Sequence, residues 1–289
     1  MNETDFIAAL RKLPLHPGAR GLADDTAVLE IGGETLVITH DAMVEGRHWL
    51  PGQDMADVAW KLVATNLSDL AAKGAEPLGV LIGHVLGEGD ERFLAGLHDA
   101  LADYGTGLLG GDTVSSDGPR ALGLTAIGRA THVPVPSRSG AQIGDALYIT
   151  GKLGAAMLGF EALRDGTGAG TTAYTRPLAR LSEGQALAPQ VSAMMDISDG
   201  LLLDAFRMAG ASEVSLAIDS KSVPVAAPDR LLDCLKWGDD YELLFSLPAD
   251  ANPPIPATCI GKVEPQGFAP LFLDGEPIAN PQGLGYVHE

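Results

Sequence analysis

The stretch N-L-S-D-L-A-A-K-G, from Asn66 to Gly74, closes a helical pattern that begins near Asp54. Apolar and small residues recur there at the spacing of one buried helical face, namely at Ala59, Val63, Leu67, Leu70 and Gly74. A second stripe beside that face contains Lys61, Leu62, Asn66, Asp69 and Lys73. The pattern therefore places Asp69 next to the core stripe, near the end of a packed helix.

Two interpretations of Asp69 follow from this position. An i,i+4 ion pair with Lys73 on a solvated face would stabilise the helix by about 0.2–0.5 kcal/mol, and such structural pairs are more common than metal ligands. Alternatively, the helix holds the carboxylate still for a bound ligand. The choice between them depends on where the other acidic residues of the chain fall.

Length and composition predict a protein with packed cores. The chain has 289 residues, of which 46% are hydrophobic, and this length is comfortable for two domains. No apolar run reaches the roughly 18 residues of a membrane span, and the acidic stretch 1–10 lacks the layout of a signal peptide. Cys234 and Cys259 match no zinc or redox spacing. We therefore expect a cytoplasmic protein with no membrane partner.

The formal net charge of −19 argues against a nucleic-acid partner, because binding to phosphate backbones needs a basic surface. Two explanations of the charge remain. An acidic surface keeps a protein soluble. Alternatively, some carboxylates converge and bind divalent cations, which prefer oxygen ligands.

Strands and helices alternate in both halves of the chain, which predicts a mixed α and β class. A proline- and glycine-rich stretch at 133–144 marks the predicted boundary between an N-terminal domain, 1–135, and a C-terminal α/β domain, 136–289. The predicted helices are Met1–Lys12, Asp54–Gly74, Asp90–Tyr104, one ending near Arg164, one after Pro177 and one from Ser198 to about Ala209. The predicted strands are Thr26–Ile31, Thr35–Thr39, Leu78–Leu86, Gly107–Leu109, Ala121–Ala130, Ala146–Thr150, Met194–Ile197, Val214–Ile218, Tyr241–Ser246, Ala257–Val263 and Phe268–Leu273.

Five acidic positions share a place at the predicted ends of strands. They are Asp24-Asp25, Asp41, Asp112 after a Gly-Gly turn, Asp196 with Asp199, and Asp239-Asp240 with Glu242. Binding groups concentrate at such ends, because the scaffold fixes them while they stay reachable. Turn formation or helix capping explains each position singly. Together they favour convergence with Asp69, where several Mg²⁺ ions bridging phosphate oxygens would compensate the charge.

Motifs for phosphate binding are scarce. The chain has no P-loop and no kinase-type Gly-rich loop or H-R-D motif. The segment 151–154, G-K-L-G, joins a strand to a helix, where free N–H groups favour anions, but a tight packing turn explains its spacing better. Arg138 is either a guanidinium fork for phosphate or an exposed loop residue. His40 and His48 are interpreted on spacing alone as structural or surface groups, since neither has a partner at metal spacing.

A set of motifs in fixed order resembles the thiamine-monophosphate kinase family, within the superfamily named for aminoimidazole ribonucleotide synthetase. The likeness runs nearly end to end and is specific as a set. Its motifs are A-D-D-T-A-V at 23–28, T-H-D-A-M-V-E-G-R-H at 39–48, K-L-V-A-T-N-L-S-D-L-A-A-K-G at 61–74, L-G-G-D-T at 109–113, S-R-S-G-A at 137–141, D-I-S-D-G-L at 196–201 and G-D-D-Y-E-L at 238–243.

The resemblance implies an enzyme that uses ATP and several Mg²⁺ ions to phosphorylate thiamine monophosphate, by direct in-line transfer. The implied Mg²⁺ ligands are Asp25, Thr39, His40 (through its main chain), Asp41, Asp69, Asp112, Asp196 and Asp199, of which Asp69, Asp196 and Asp199 are the catalytic candidates. The implied ATP contacts are Gly111, Arg138 and Ser198, and the implied substrate contacts are His48, Asp239 and Tyr286. The implied fold is α+β and α/β in two domains: an N-terminal mixed sheet pairs with a partner's into a barrel, giving a homodimer, and a C-terminal α/β domain closes over the nucleotide.

Departures from the family pattern lie on the substrate side. Trp237 stands where the family has a glycine, and Asp239 is one methylene shorter than the glutamate usual there. Tyr286 is the one aromatic residue in the aligned C-terminal stretch 283–286. Two alternatives therefore remain open: an ATP-dependent enzyme of the same superfamily with another small acceptor, and an acidic binding protein that has lost catalysis.

Overall fold

The N-terminal half forms a five-stranded mixed sheet. The structure, a computed structural model, describes residues 3–168 and 170–287. The strands are β1 (Ala27–Ile31), β2 (Glu34–Val44), β3 (Ala75–Val85), β4 (Leu108–Val114) and β5 (Ala121–Ala130). Their order is β1-β2-β5-β3-β4, antiparallel throughout except for the parallel pair β3 and β4. The helices are α1 (Glu3–Leu10), α2 (Met55–Ala72) and α3 (Asp90–Asp103).

The C-terminal half forms a second sheet of seven strands, in the order β12-β11-β8-β10-β6-β9-β7. The strands are β6 (Ala146–Ile149), β7 (Ala193–Asp196), β8 (Ser215–Ile218), β9 (Leu243–Leu247), β10 (Thr258–Glu264), β11 (Leu271–Leu273) and β12 (Glu276–Ile278). The helices are α4 (Ala155–Arg164), α5 (Thr172–Thr175), α6 (Leu181–Leu187), α7 (Leu201–Ser212) and α8 (Leu231–Lys236). Two mixed sheets with helices confirm a two-domain α+β class; the boundary at 135/136 stays a prediction.

Helix α2 packs on one face of the first sheet and reaches the second half. Its residues Val58 and Leu62 share a buried core with Leu124 of β5 and Val80 of β3. Near its C-terminus, Ala71 and Ala72 are buried with residues of the other half, Leu187 and Met194 among them. The residues predicted for the buried face are buried, but the stripe beside it, with Lys61 and Asn66, is buried too. The helix is covered on both sides because it lies at the junction of the two halves.

Two strands run further than the sequence indicates. Asp41 lies inside β2, which continues to Val44, and not at a strand end. Gly110, Gly111 and Asp112 lie inside β4 and do not form a turn. Close packing explains the glycine, because a Cβ on Gly111 would come within 2.0 Å of the Ile82 carbonyl oxygen of the neighbouring strand. The turn interpretation of Gly110-Gly111-Asp112 is therefore wrong.

Smaller differences concern the chain ends and loops. Helix α1 spans Glu3–Leu10, and the first two residues of the predicted helix lie outside the described residues. The predicted loop Asp165–Thr172 gives way to α5 at Thr172, and Ala169 lies outside the described residues. No helix in residues 3–168 and 170–287 combines the length and apolar character of a membrane span.

Candidate active site

The acidic centre of the molecule forms where α2 meets β7 and the loop before β1. Carboxylate oxygens of Asp25, Asp69 and Asp196 lie within 4.8 Å of one another. Asp69 is only 7% exposed and accepts a hydrogen bond from the Thr39 hydroxyl of β2. Asp196 ends β7 and accepts a 2.7 Å hydrogen bond from Ser68. Three acids that are far apart in sequence therefore converge, and two of them, Asp25 and Asp196, come from the predicted strand ends.

Burial and mutual repulsion make the cluster unfavourable as a set of bare carboxylates. Burial raises the pKa of Asp69 well above its usual range, and the nearby Asp41 and Asp196 carboxylates raise it further. Burial also raises the pKa of Asp196, to about 7, against the opposing hydrogen bond from Ser68. Oxygen-rich sites of this kind suit hard divalent cations. The residues present therefore fit Mg²⁺.

Basic residues compensate one side of the cluster. The buried Lys73 ammonium lies 2.6 Å from Asp24 Oδ1 and 2.8 Å from Asp25 Oδ2. The Arg138 guanidinium also pairs with Asp25. Although burial opposes ionisation of Asp24, the Lys73 charge and hydrogen bonds hold the pKa of that carboxyl below its usual range. The i,i+4 surface pair of Asp69 with Lys73 is therefore wrong: Asp69 is buried, and Lys73 binds the acids before β1.

Strand β2 contributes to the cluster from one face only. Thr39 is buried against Asp69, and Asp41 is half-buried, with its backbone N–H donating to Asn66 Oδ1 of α2 at 2.9 Å. The side chain of His40 is exposed and lies 2.9 Å from the Thr125 hydroxyl. Because alternate residues of a strand face opposite ways, the structure does not bring the His40 side chain to the acids.

Gly111 and Asp112 lie apart from the cluster. In the sheet, Asp112 is paired with Gly83, which is paired with Gly123, which is paired with Ala42. Asp112 is thus three strand spacings of about 4.8 Å, or roughly 14 Å, from β2. Its side chain is exposed and accepts a hydrogen bond from the Thr113 N–H. The structure of a single chain does not bring Asp112 to Asp69.

The turn from β7 into α7 presents Ser198 and Asp199. Both backbone N–H groups donate to Asp204 Oδ2, at 3.1 and 3.0 Å. The Asp199 carboxylate pairs with Arg207. Burial, together with the nearby Asp199 charge, raises the pKa of Asp204 to about 7. The buried Asp204 carboxylate therefore holds the backbone of this turn in place. Ser198 and Asp199 line the adjacent pocket.

That pocket is a cavity of about 610 Å³ next to the acidic centre. It collects six residues proposed from the sequence: Asp41, His48, Ser198, Asp199, Asp239 and Tyr286. The His48 and Tyr286 rings lie 6.4 Å apart, edge to face. The Tyr286 N–H donates to the Asp199 carbonyl at 2.9 Å, which ties the C-terminal stretch to the α7 turn.

Sequence reasoning missed the aromatic wall of the pocket. Phe160 packs between Tyr174 and Trp237, with ring centroids 5.3 and 5.2 Å apart. Tyr241 closes the wall beside Asp239. The replacement of a glycine by Trp237 was the one signal in the sequence. Phe160 and Tyr174 give no local sign of a site, because isolated aromatic residues are common in cores.

The N–H groups at the strand-to-helix turn 151–154 are used within the chain. The Gly154 and Ala156 N–H groups donate to the Asp240 carboxylate at 2.8 and 3.3 Å. A side chain of the chain itself therefore occupies the N-terminus of α4, as the interpretation as a packing turn predicts. Burial raises the pKa of Asp240 to about 7, against these two hydrogen bonds.

Two family models match the chain over most of its length. The model for "AIR synthase related protein, N-terminal domain" covers residues 23–130. The model for "AIR synthase related protein, C-terminal domain" covers residues 142–269. Asp25, Thr39, Asp41 and Asp69 fall in the first match, and Asp196, Asp199 and Asp239 in the second.

Curated relatives and solved structures give the same result. The thiamine-monophosphate kinase of Escherichia coli strain K12 is 35% identical over 302 residues, covering 93% of this chain and 91% of the relative. That of Caulobacter vibrioides is 35% identical and covers 99% and 90%. The solved structure "AaThiL complexed with AMPPCP and TMP" superposes with a TM-score of 0.87 at 29% identity, covering 100% of this chain and 97% of the other. The chain therefore belongs to the thiamine-monophosphate kinase family of AIR synthase related proteins.

Proposed function

We propose that this protein is an ATP-dependent kinase that phosphorylates thiamine monophosphate to thiamine diphosphate. The observation that carries the proposal is the relative solved with AMPPCP, an ATP analogue, and TMP, whose fold matches the whole chain. In this chain the corresponding fold encloses a pocket beside an acidic centre. Two phosphorylated ligands and a cation-binding centre are the components that phosphoryl transfer needs.

The acidic centre would hold Mg²⁺ through Asp25, Asp69 and Asp196, with Thr39, Asp41 and Asp199 as further oxygen ligands. When bound, Mg²⁺ supplies positive charge that neutralises the phosphate oxygens during transfer. Buried Asp69 and its neighbours favour such charge, because Lys73 and Arg138 compensate their mutual repulsion only in part. We also propose that the main chain of His40 and the carboxylate of Asp112 are Mg²⁺ ligands.

The ATP phosphates would lie against Arg138 and Ser198. Gly111 stays a proposed further contact, although a single chain holds it on β4, apart from the acidic centre. The buried Nε of Arg138 has no hydrogen-bond partner among the described residues, and a guanidinium fork matches phosphate geometry. Ser198 has its N–H committed to Asp204, so its hydroxyl is the group left for the nucleotide. These residues would orient ATP, the phosphoryl donor, and none of them needs to accept a proton.

The acceptor would occupy the pocket between His48, Asp239 and Tyr286. Its cationic thiazolium ring suits the aromatic wall of Phe160, Tyr174 and Trp237, because ring faces attract cations. In transfer, an oxygen of its phosphate forms the new bond to the γ-phosphorus of ATP, and the bond to the β,γ-bridging oxygen breaks and releases ADP. A phosphate monoester with a second pKa of about 6 is already anionic at neutral pH, so no side chain is required as a general base.

We further propose a cytoplasmic homodimer in which the N-terminal sheets of two chains pair into a barrel. Strand β4 lies at the edge of its sheet and carries exposed Leu108, Leu109 and Val114. An exposed apolar edge strand favours pairing with a strand of another chain, because its outer N–H and C=O groups are unpaired. Both cysteines are free thiols, which suits a reducing compartment.

The test is turnover with defined substrates. Purified protein with ATP, Mg²⁺ and thiamine monophosphate should form thiamine diphosphate and ADP in equal amounts, resolved by ion-pair chromatography. Omitting the thiamine phosphate, or adding EDTA, should stop ADP formation. ADP without thiamine diphosphate would reject this acceptor and favour another member of the superfamily. Absence of both ATP binding and turnover would favour a protein that has lost catalysis.

A further inference from the structure

A buried lysine lies behind the substrate pocket, in a place that neither the acidic centre nor the nucleotide explains. Lys61 of α2 is 1% exposed. Its ammonium lies 2.8 Å from Asp239 Oδ2, 3.2 Å from the His48 carbonyl oxygen and 3.9 Å from the centre of the Tyr174 ring. An ammonium has three donors, and here a carboxylate, a carbonyl and a ring face receive them. The side chain is therefore fixed in one position.

The groups that Lys61 contacts are themselves parts of the pocket wall. His48, Tyr174 and Asp239 all line the cavity, and the Tyr174 hydroxyl donates to the same His48 carbonyl at 3.0 Å. Lys61 itself does not line the cavity. Its effect on a bound ligand therefore passes through these neighbours.

Asp239 is held at both of its oxygens. Lys61 binds Oδ2, and the Tyr241 hydroxyl donates to Oδ1 at 2.9 Å. The backbone of Asp239 has a φ of 65°, a left-handed conformation, and its N–H donates to the Ser198 carbonyl at 2.8 Å. Each carboxylate oxygen has two acceptor directions, so one on each oxygen remains after these contacts. The side chain is 29% exposed, toward the pocket that it lines.

We propose that Lys61 is a positioning residue that fixes the Asp239 carboxylate, so that its free acceptor directions meet an N–H donor on the acceptor's ring. The inference rests on the proposed function, in which the acceptor carries an amino group on its pyrimidine ring. Pairing with Lys61 also cancels the charge of Asp239. The pair therefore presents the pocket with a directed hydrogen-bond acceptor and little net charge.

The position of Lys61 on α2 links the substrate pocket to the acidic centre. Lys61 and Asp69 are eight residues apart on one helix, which corresponds to about 12 Å along its axis. One rigid element thus sets the distance between the group that orients the acceptor's ring and the acids at the transfer centre. Burial lowers the pKa of Lys61, and the Asp239 charge opposes that effect. The lysine therefore depends on Asp239 to remain charged in this location.

The experiment is a double-mutant cycle of Lys61→Met and Asp239→Asn, with KM for thiamine monophosphate, KM for ATP and kcat measured for each variant. We expect Lys61→Met to raise KM for thiamine monophosphate by about 10-fold to 100-fold, the effect of losing one charge-assisted hydrogen bond. We expect KM for ATP to change less than about twofold. In the Asp239→Asn background, Lys61→Met should change the acceptor KM less than about twofold, because Lys61 acts through Asp239.

A matched control separates positioning from loss of stability. Val63→Ala removes buried side-chain atoms from the same helix, at a residue that lies in the core and does not line the pocket. It should lower the melting temperature and leave the acceptor KM unchanged. If Lys61→Met does not fold, Tyr241→Phe removes the other donor to Asp239 without leaving a buried charge, and should give the same selective rise in acceptor KM.

An acceptor KM within about twofold of wild type, in a folded Lys61→Met variant or in Tyr241→Phe, would overturn the proposal. Effects of Lys61→Met and Asp239→Asn that multiply in the double variant would also overturn it, because they would show independent roles. Failure of the wild-type protein to phosphorylate thiamine monophosphate is a separate result. It would reject the proposed function and, with it, the acceptor named here.

Discussion

Asp69 occupies a position that is poor for folding and suited to binding cations. Its carboxylate is buried beside those of Asp25 and Asp196, and the compensating Lys73 contacts Asp24 and Asp25 instead. The only hydrogen bond shown to Asp69 among the described residues comes from Thr39. Sites of function often retain such unfavourable groups at the expense of stability.

Replacing Asp69 by asparagine should therefore stabilise the metal-free protein and inactivate it. The folded-state pKa of Asp69 lies above its unfolded value, so its carboxyl contributes stability below the unfolded pKa that is lost as pH rises through the folded pKa. An amide does not titrate. We expect the free energy of unfolding in urea with EDTA to rise by on the order of 1–2 kcal/mol at pH 8, and by less at pH 5.5. We expect kcat to fall by about 10²-fold to 10³-fold.

The matched control for Asp69→Asn is Asp54→Asn, at the start of the same helix. Asp54 accepts from the Ala56 N–H and pairs with Arg92 at the surface. Asparagine is an equally good N-cap, so kcat should not change and stability should fall by less than about 1 kcal/mol. Full turnover by Asp69→Asn would contradict its place in the acidic centre.

At the residue scale, the sequence predicted which acidic residues converge better than it predicted which basic side chains pair with acids. Asp25 and Asp196, from the predicted strand ends, converge with Asp69. Lys61 and Asp239 are separated by 178 positions, and no local pattern joins them. Spacing along a helix or strand predicts which face a residue occupies. It does not predict which distant side chain meets that face, because this depends on how the two halves pack.

At the scale of elements, α2 is held by close backbone contacts at both ends. A Cβ on Gly96 of α3 would come within 2.1 Å of the Ala56 carbonyl oxygen. A Cβ on Gly184 of α6 would come within 1.9 Å of the Ala71 carbonyl oxygen. Neither glycine is in the left-handed region, so each is required by proximity to α2 and not by its own backbone. These contacts fix the helix that carries Lys61, Asp69 and Lys73.

Two glycine-to-alanine changes in helices should thus have opposite effects. Gly184→Ala forces α6 away from α2 and should lower the free energy of unfolding by about 1–3 kcal/mol. Gly210→Ala in α7 meets nothing within 4 Å and should raise it by about 0.5–1 kcal/mol, because alanine loses less entropy on folding. Chemical denaturation of both variants measures the difference. A Gly184→Ala variant as stable as Gly210→Ala would show that α6 adjusts freely.

Element prediction succeeded for several long patterns, and glycine explains one of its failures. Helix α2 and strand β5 match their predicted spans closely. Strand β4 was cut short at Gly110, since glycine pairs signal turns when read locally. Here the glycines lie within a strand whose backbone approaches β3 closely. Contacts between strands decide such cases, and a single sequence does not display them.

At the scale of the whole molecule, the site lies between the two halves and belongs to neither alone. Asp69 and His48 come from the first half, and Asp196 and Asp239 from the second. The Trp60 indole N–H of the first half also donates to the Pro177 carbonyl of the second half, at 2.9 Å. The alternation of strands and helices was enough to predict the class of fold. It contains no information on this assembly of halves, for which the resemblance to a known family was needed.

The edge of the first sheet provides the last prediction, on the assembly of two chains. Leu109 on β4 is 57% exposed, at an edge where a second copy would pair. Leu109→Glu would place one like charge per chain at that contact, which costs several kcal/mol. Light scattering should give wild-type protein twice the 29.9 kDa of one chain, and the variant close to that single mass.

Leu94→Glu is the control for the edge substitution, because Leu94 is 61% exposed but lies on α3, away from the sheet edge. It should keep the dimeric mass. A monomeric wild-type protein at micromolar concentration, or a dimeric Leu109→Glu variant, would contradict pairing through β4.

Asp112 lies on this same strand, so loss of the dimer would also test its proposed role as a Mg²⁺ ligand. If dimerisation brings Asp112 to a metal site, the monomeric Leu109→Glu variant should lose Mg²⁺-dependent turnover while remaining folded.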